Sequence, residues 1–184
     1  MGRKDRMINE TLKFAEDTFR LMYLIRYNIY PRVNNETVAS HVSQVALLTL
    51  FLGEQLKNKY KLNIEKMLKM AITHDLAESE GMDIVHSLKE KYSELKKLSL
   101  NIELEVTETL LGKEYRDLIS EYETGNTIES IIVEIADVIS CVIYSKEEIK
   151  LGNTYFNKVL KESEYRLNEL IDKLSEVKNK NGRK

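Results

Sequence analysis

The stretch AITHDLAESEGMD, residues 71–83, places a histidine directly beside an aspartate at the end of an apolar run. Two more carboxylates, Glu78 and Asp83, follow within nine residues of His74. Neighbouring residues on a helix point about 100° apart, so His74 and Asp75 cannot share one helix face. They can approach one ion from two sides where a helix ends, and mixed nitrogen and oxygen ligands suit a divalent transition metal. A single His-Asp pair arises by chance in roughly one such chain in ten, so the pair needs support from elsewhere in the chain.

The overall composition is that of a globular protein with 184 residues, 42% of them hydrophobic and 32% charged. A chain of this length can bury about 70% of the surface that it exposes when unfolded, which favours one domain spanning 1–184. The formal net charge of −2 gives no electrostatic sign of a nucleic-acid polymer or an anionic membrane as partner.

Cysteine content and hydropathy indicate the compartment. The single cysteine, Cys141, rules out an internal disulfide and a cysteine-based zinc site, and it fits a reducing environment. No apolar run reaches the roughly 20 residues that span a bilayer, and the charged N-terminus lacks the apolar core of a secretory signal. We therefore expect a cytoplasmic protein.

Helix-breaking residues are rare, with one proline, Pro31, and seven glycines. This favours an all-α fold, a bundle of about six to seven helices joined by short turns. Asn35 and Asn63 are plausible N-caps, and residues 78–87 read as an irregular acidic loop. The periodicity predicts helices over about 7–27, 36–60, 64–75, 88–111, 114–122, 127–150 and 154–177.

Two polar features interrupt the predicted apolar faces. His41 lies on the apolar face of the second helix, where a histidine is more often a core residue with one hydrogen bond than a ligand. In the helix over 127–150, Glu134, Asp137 and Ser140 form a stripe at spacings of three. A buried carboxylate must be paired, hydrogen-bonded or bound to a metal, whereas a solvent-facing stripe needs no partner. The pattern by itself leaves both readings open.

The order His41, His74-Asp75, Asp137 resembles the H…HD…D motif of the HD-domain superfamily of metal-dependent phosphohydrolases. The chain looks most like the bacterial 5'-deoxynucleotidase branch and its archaeal and eukaryotic relatives. In that branch an arginine precedes the first metal histidine by fifteen residues, as Arg26 does here. The resemblance covers about residues 15–150 and implies a single HD domain, with a C-terminal helix over about 154–177 and a frayed tail.

The resemblance implies that His41, His74, Asp75 and Asp137 bind one divalent metal ion per chain. Two histidines and two carboxylates suit Co, Mn, Ni, Fe or Zn better than they suit Mg, which prefers oxygen ligands throughout.

The resemblance also implies roles for five other residues. Glu78 and Asp83 stand four and nine residues after the histidine of the HD pair, as in the family, and would assist proton transfer. Arg26 would bind the phosphate. Glu121 opens a segment similar to an acidic-aromatic stretch that lines the family's substrate pocket. Tyr27 stands where the family usually has tryptophan beside the sugar, so it bears on selection between deoxyribose and ribose.

The implied function is release of phosphate from (deoxy)nucleoside 5'-monophosphates by a cytoplasmic homodimer. One alternative is an HD hydrolase of a larger nucleotide, such as a triphosphate or a cyclic dinucleotide. Arg26 as the single basic anchor offers few contacts for extra phosphates, which argues against it. The other alternative is a non-catalytic nucleotide- or metal-binding protein, which would not need both Glu78 and Asp83.

Overall fold

The computed structural model describes residues 2–81 and 86–181, and their fold is all-α, as predicted. Two short 3₁₀ segments, Arg20–Met22 and Leu76–Glu80, connect longer helices. Within these ranges the strand-like pairing is one isolated antiparallel bridge between Ile25 and Thr37. The described part contains eight α-helices: α1 Arg3–Phe19, α2 Val38–Tyr60, α3 Ile64–Thr73, α4 His86–Lys91, α5 Ser93–Leu111, α6 Lys113–Thr124, α7 Ile128–Lys150 and α8 Phe156–Asn181.

Side-chain caps set the starts of the helices that carry the site. Thr37 accepts a hydrogen bond from the backbone N–H of Ser40 and so caps α2, which makes the expected cap at Asn35 wrong. Thr127 caps α7 in the same way, through Ser130. Asn63 caps α3, as predicted, by accepting from the N–H of Lys66.

The main core lies between α2, α3, α7 and α8. Helix α7 runs through its middle and is buried over most of its length. No described helix combines the length and the apolar character needed to cross a bilayer. Because one apolar cluster joins these helices, their positions relative to one another are fixed by packing. Its buried members are Val45, Met67, Met70, Ala71, Ile131, Ile132, Val133, Ile135, Ala136, Leu170 and Leu174.

The predicted first helix over 7–27 is wrong at its C-terminal end, because α1 stops at Phe19. Apolar residues recur beyond that point, but the backbone pairs with a distant segment instead. The N–H of Arg26 donates to the carbonyl of Glu36 at 2.9 Å, and Tyr27 takes a left-handed backbone with φ of 55°. Such a backbone is rare for an aromatic residue and is held here by its surroundings.

Most other helices differ from the prediction by a few residues at their ends, and two predicted segments differ in kind. The single helix expected over 88–111 is broken at Tyr92, whose extended backbone separates α4 from α5. The irregular loop expected at 78–87 begins instead with the ordered 3₁₀ segment Leu76–Glu80, and residues 82–85 lie outside the described part.

A buried carboxylate that the sequence did not single out fastens the loop before α2 to the end of α7. Glu148 is fully buried and accepts hydrogen bonds from the N–H groups of Val33 and Asn34, at 2.8 and 2.7 Å. The Asn153 side chain donates to it at 2.6 Å, and the Tyr144 hydroxyl donates to the carbonyl of Asn34, also at 2.6 Å. Burial alone would raise the pKa of Glu148, but these donors hold it below its usual value.

Replacing this carboxylate, Glu148→Gln, is expected to lower the free energy of unfolding by about 2–3 kcal/mol at pH 7, because charge-assisted hydrogen bonds to buried donors are lost. A carboxyl with a lowered pKa stabilises the fold above its unfolded pKa of about 4.3 and loses that effect as the pH falls through the folded pKa. The difference between wild type and variant should therefore shrink in acid. Denaturant titration at several pH values measures it.

The matched control is Glu147→Gln, on the exposed neighbour that pairs with Lys150. Its effect should stay within about 0.5 kcal/mol. Equal losses in both variants, or a Glu148 effect that does not change with pH, would contradict the assigned role.

Candidate metal centre and active site

Three of the four predicted ligand residues form a compact cluster. One side-chain atom each from His41, His74 and Asp137 lies within 4.8 Å of the others. His41 Nε2 is 3.0 Å from Asp137 Oδ1. Asp75 lies beside them, with its Oδ2 3.2 Å from His74 Nε2 and 3.7 Å from His41 Nε2. All four residues are thus adjacent, while their role as metal ligands stays a prediction.

Different elements deliver these side chains. His41 lies in the first turn of α2, and Asp137 lies in the middle of α7. His74 directly follows α3 with a helical backbone, but Asp75 departs from it with φ of −103° and ψ of 13°. This change of direction allows the two adjacent side chains to converge, which a continuous helix would prevent.

Hydrogen bonds to the outer nitrogen orient each imidazole. His74 Nδ1 lies 2.9 Å from the carbonyl oxygen of Ala71, and since a carbonyl only accepts, Nδ1 carries the proton. His41 Nδ1 lies 3.1 Å from the buried Ser140 hydroxyl. Both Nε2 atoms are buried, and although each lies close to a carboxylate oxygen, neither makes a well-aligned hydrogen bond among the described residues. Two orphaned imidazole nitrogens beside two carboxylates are a donor set that fits a divalent transition metal.

The electrostatics of the cluster favour a positive charge at its centre. Burial alone would lower the pKa of His74, but the charge of Asp75 raises it to about 9. Burial alone would raise the pKa of Asp137, but the nearby His41 holds it at about 2. The pKa of Asp75 also lies below its usual range despite burial, because of His74. Two half-buried carboxylates therefore stay ionised, and a cation between them would offset the cost of their partial burial.

Tyr122 lies against one side of the cluster. The sequence did not predict this contact. Its hydroxyl donates to Asp137 Oδ2 at 3.2 Å, and its ring centre lies 5.6 Å from that of His74. The preceding residue, Glu121, is engaged elsewhere by Lys66 and by the Thr127 hydroxyl. Substrate contact by Glu121 stays a prediction.

Arg26 lies next to the cluster although it is not on a helix. Its charge lowers the pKa of both Asp75 and Asp137. Its Nη1 pairs with Glu36 Oε2 at 2.7 Å, and its Nη2 donates to Cys141 Sγ at 3.5 Å. A guanidinium with two of its nitrogens already held is oriented before any ligand arrives.

Tyr27 belongs to an aromatic group beside Arg26. Its ring stacks on Tyr144, with centres 5.3 Å apart and planes at 7°, and meets Phe156 edge-on at the same distance. The Arg26 guanidinium carbon lies 5.2 Å from the centre of the Tyr27 ring. Tyr27 thus has a packing role, and its predicted contact with the sugar remains untested.

The predicted catalytic carboxylates are only partly described. Glu78 is half-buried in the 3₁₀ segment that begins directly after Asp75. Asp83 lies outside the described residues. Their roles in proton transfer stay predictions.

The polar stripe of α7 serves two purposes. Asp137 and Ser140 face the cluster, whereas Glu134 forms a surface ion pair with Arg166 of α8. The spacing of three indicated a polar face. Ser140 on that face supplies the hydrogen-bond partner of His41 Nδ1. Nothing in the sequence pattern pointed to Glu36, which binds Arg26 from the other end of a loop.

An all-α bundle that gathers two histidines and two aspartates in the order H…HD…D is an HD-domain metal-dependent phosphohydrolase by class. The family model described as 5'-deoxynucleotidase YfbR-like matches residues 13–179, so the chain belongs to this family of phosphoric monoester hydrolases.

One relative in sequence agrees with this assignment, and two solved structures share the fold. The chain is 32% identical to the 5'-deoxynucleotidase HDDC2 of Dictyostelium discoideum over 130 residues, 67% of this chain and 68% of the relative. It matches a solved protein of Pyrococcus horikoshii with a TM-score of 0.74 and 28% identity, over 94% of this chain and 98% of that one. It shares the fold of an HD-domain phosphohydrolase of Listeria innocua, with a TM-score of 0.75 and 22% identity over 90% and 83% of the chains.

Proposed function

We propose that this protein is a metal-dependent 5'-nucleotidase that releases phosphate from nucleoside 5'-monophosphates and favours deoxynucleotides. The observation that carries the proposal is the adjacency of two orphaned imidazole nitrogens, two ionised carboxylates and one oriented guanidinium. The 5'-deoxynucleotidase name of the Dictyostelium relative supports the choice of substrate.

His41, His74, Asp75 and Asp137 would hold one divalent ion. A phosphate monoester dianion repels nucleophiles, so its hydrolysis depends on neutralising charge and positioning water. When bound, such an ion supplies positive charge to the phosphate and lowers the pKa of a water molecule.

Protein side chains supply the remaining functions. Arg26 contributes charge-assisted hydrogen bonds to the phosphate oxygens. Glu78 and Asp83 share two proton movements, accepting a proton from the attacking water and giving one to the departing 5'-oxygen. Tyr27 and Glu121 contact the nucleoside, with Tyr27 at the sugar.

A phosphate-release screen tests the proposal. The substrates are the deoxy- and ribonucleoside 5'-monophosphates, with nucleoside triphosphates and a cyclic dinucleotide for comparison, each with Co, Mn, Ni, Fe, Zn or Mg. We expect release from the monophosphates with a transition metal and little from the larger nucleotides. Preference for a triphosphate or a cyclic dinucleotide, or no release with any metal, would contradict it.

The Tyr27→Ala variant is expected to change the ratio of kcat/KM between deoxy and ribo substrates, because the ring that faces the 2' position is removed. Base preference should change little. Parallel kinetics on both sugar series measure the ratio. Tyr30→Ala is the control, since Tyr30 packs against the same aromatic group, 6.4 Å from Tyr27 between ring centres. Equal losses for both sugars in Tyr27→Ala would limit Tyr27 to packing.

We also propose that the protein is a cytoplasmic homodimer. The family resemblance supports a dimer, and two-fold dimers are the commonest soluble assemblies. Helix α1 adds support, because none of its residues is buried and its apolar Ile8, Leu12 and Phe19 are exposed. The lone free thiol of Cys141 fits a reducing compartment.

Light scattering at micromolar concentration is expected to give twice the chain mass of 21.5 kDa, since a second copy would cover exposed apolar surface. Dilution should shift the mass downwards only at much lower concentration. A clean species of 21.5 kDa at micromolar concentration would refute the dimer.

A further inference from the structure

The backbone places Glu36 directly opposite Arg26. The bridge between Ile25 and Thr37 is antiparallel, and the N–H of Arg26 donates to the carbonyl of Glu36 at 2.9 Å. Directly opposed residues in an antiparallel pair project their side chains to the same face. The ion pair between Arg26 Nη1 and Glu36 Oε2, at 2.7 Å, is thus set by the chain pairing as well as by charge.

This ion pair is largely removed from water. The side chains of Arg26 and Glu36 are 19% and 11% exposed. In such surroundings a charge-assisted hydrogen bond is short, strong and directional. An exposed arginine pair would instead exchange between orientations and contribute little.

The segment that carries the ion pair is tied to the helix that carries Asp137. Glu148 and Tyr144 of α7 hold the backbone at Val33 and Asn34, between the two bridge partners. Cys141, one turn after Asp137 on the same helix, accepts from Arg26 Nη2. The guanidinium is therefore held in a fixed relation to the cluster.

Arg26 also has competing partners. Cys141 Sγ lies 3.5 Å from Arg26 Nη2 and 3.9 Å from Asp137 Oδ1, so the guanidinium is close to a carboxylate of the cluster and, without restraint, would be drawn towards it. If Arg26 were paired in that way, its N–H groups would be bonded to a carboxylate that is proposed to bind the cation. Glu36 supplies the opposing attraction.

We propose that Glu36 is a positioning residue whose carboxylate holds the Arg26 guanidinium where it can meet the substrate phosphate. This inference rests on the proposed function. Glu36 touches neither substrate nor metal, and it acts only through Arg26. Its backbone contact with Arg26 survives any substitution at position 36, so a change of side chain isolates the carboxylate.

A double-mutant cycle tests the inference in the full-length, metal-loaded protein. We expect Arg26→Ala to lower kcat/KM for a deoxynucleoside 5'-monophosphate roughly 30- to 900-fold. Glu36→Gln should lower it about 10-fold or more, because small misplacements of a binding group are costly. In the Arg26→Ala background, Glu36→Gln should change it by less than about 3-fold.

Two further variants separate positioning from folding. Glu36→Asp keeps the charge but withdraws the carboxylate, and its kcat/KM should lie between those of wild type and Glu36→Gln. Glu10→Gln removes the carboxylate of an exposed arginine pair, Arg6–Glu10 at 2.8 Å, and should leave kcat/KM unchanged. Thermal melting of each variant confirms that it is folded.

The same cycle is measured by calorimetric binding of inorganic phosphate, which needs no turnover. The positioning role is supported if Glu36→Gln lowers phosphate affinity when Arg26 is present but not in the Arg26→Ala background. Equal losses with and without Arg26, in kcat/KM or in phosphate affinity, would overturn it. If the wild-type protein binds phosphate but releases none from any nucleotide, the proposed function is refuted. The phosphate-binding cycle would still decide the role of Glu36.

Discussion

Replacing His74 with alanine is expected to cost the protein its divalent ion and to lower phosphate release by more than about 10³-fold. Loss of an outer partner of a metal ligand typically costs about 10–100-fold, and loss of a ligand itself costs more. His74 has Nδ1 committed to Ala71, and its buried Nε2 faces the carboxylate of Asp75, so its side chain is oriented to bind an ion at the centre of the cluster. Asp75→Asn should act similarly by removing a charge from the cluster.

Elemental analysis of the purified variants measures the effect, with about one ion per chain expected in wild type. His86→Ala is the matched control, since the sequence assigns no ligand role to the third histidine. Metal loss should also lower the melting temperature modestly, because the ion connects elements from three helices. Full metal occupancy in both His74→Ala and Asp75→Asn would refute the assignment.

The second large effect is expected for Glu78→Gln, which should lower kcat roughly 10²-fold or more while metal and nucleotide still bind. The carboxylate is proposed to move a proton rather than to hold the ion, and proton transfer by a positioned group contributes about 10²–10⁴-fold. Steady-state kinetics, metal content and nucleotide binding, measured on one preparation, separate these functions. Asp83→Asn should behave alike if the two residues share the role.

Glu80→Gln is the control for that experiment. Glu80 lies in the same 3₁₀ segment, but its side chain is 44% exposed and faces Arg20 at 3.7 Å. Its substitution should leave kcat within about 2-fold, as expected for an exposed ion pair. An unchanged kcat in Glu78→Gln would remove Glu78 from the mechanism.

The residues of the histidine and aspartate cluster could be named from the sequence because their signals are local or have fixed spacing. The His74-Asp75 pair follows an apolar helix, and Asp137 interrupts a helix that is otherwise apolar. The all-α class was equally accessible, since few prolines or glycines break the periodicity. These signals depend on side-chain type along one helix and do not require knowledge of the packing.

The path of the chain through Arg26 could not be predicted in the same way. Apolar residues continue beyond Phe19 at helical spacing, so local periodicity favoured a helix as far as Tyr27. The observed bridge instead joins residues 24–26 to residues 36–38, a pairing that no local pattern contains. Arg26 nevertheless lies beside the cluster, because the loop returns it there.

The supporting residues were missed for a related reason. Ser140, Tyr122 and Glu148 each act through a partner more than a dozen residues away in the chain or on another element. A buried glutamate among charged neighbours looks the same in sequence as an exposed one. Only the packing of α7 against the loop before α2 separates Glu148 from Glu147.

One divalent ion held by His41, His74, Asp75 and Asp137 is expected to be required for phosphate release. The direct measurement is to strip the wild-type protein with a chelator, remove the chelator and titrate a single transition metal while following release from a deoxynucleoside 5'-monophosphate. Activity should be absent without metal and should rise to a plateau at about one ion per chain. Two results would contradict the requirement for metal. One is release at the full rate by the stripped protein, and the other is no release when one ion is bound per chain.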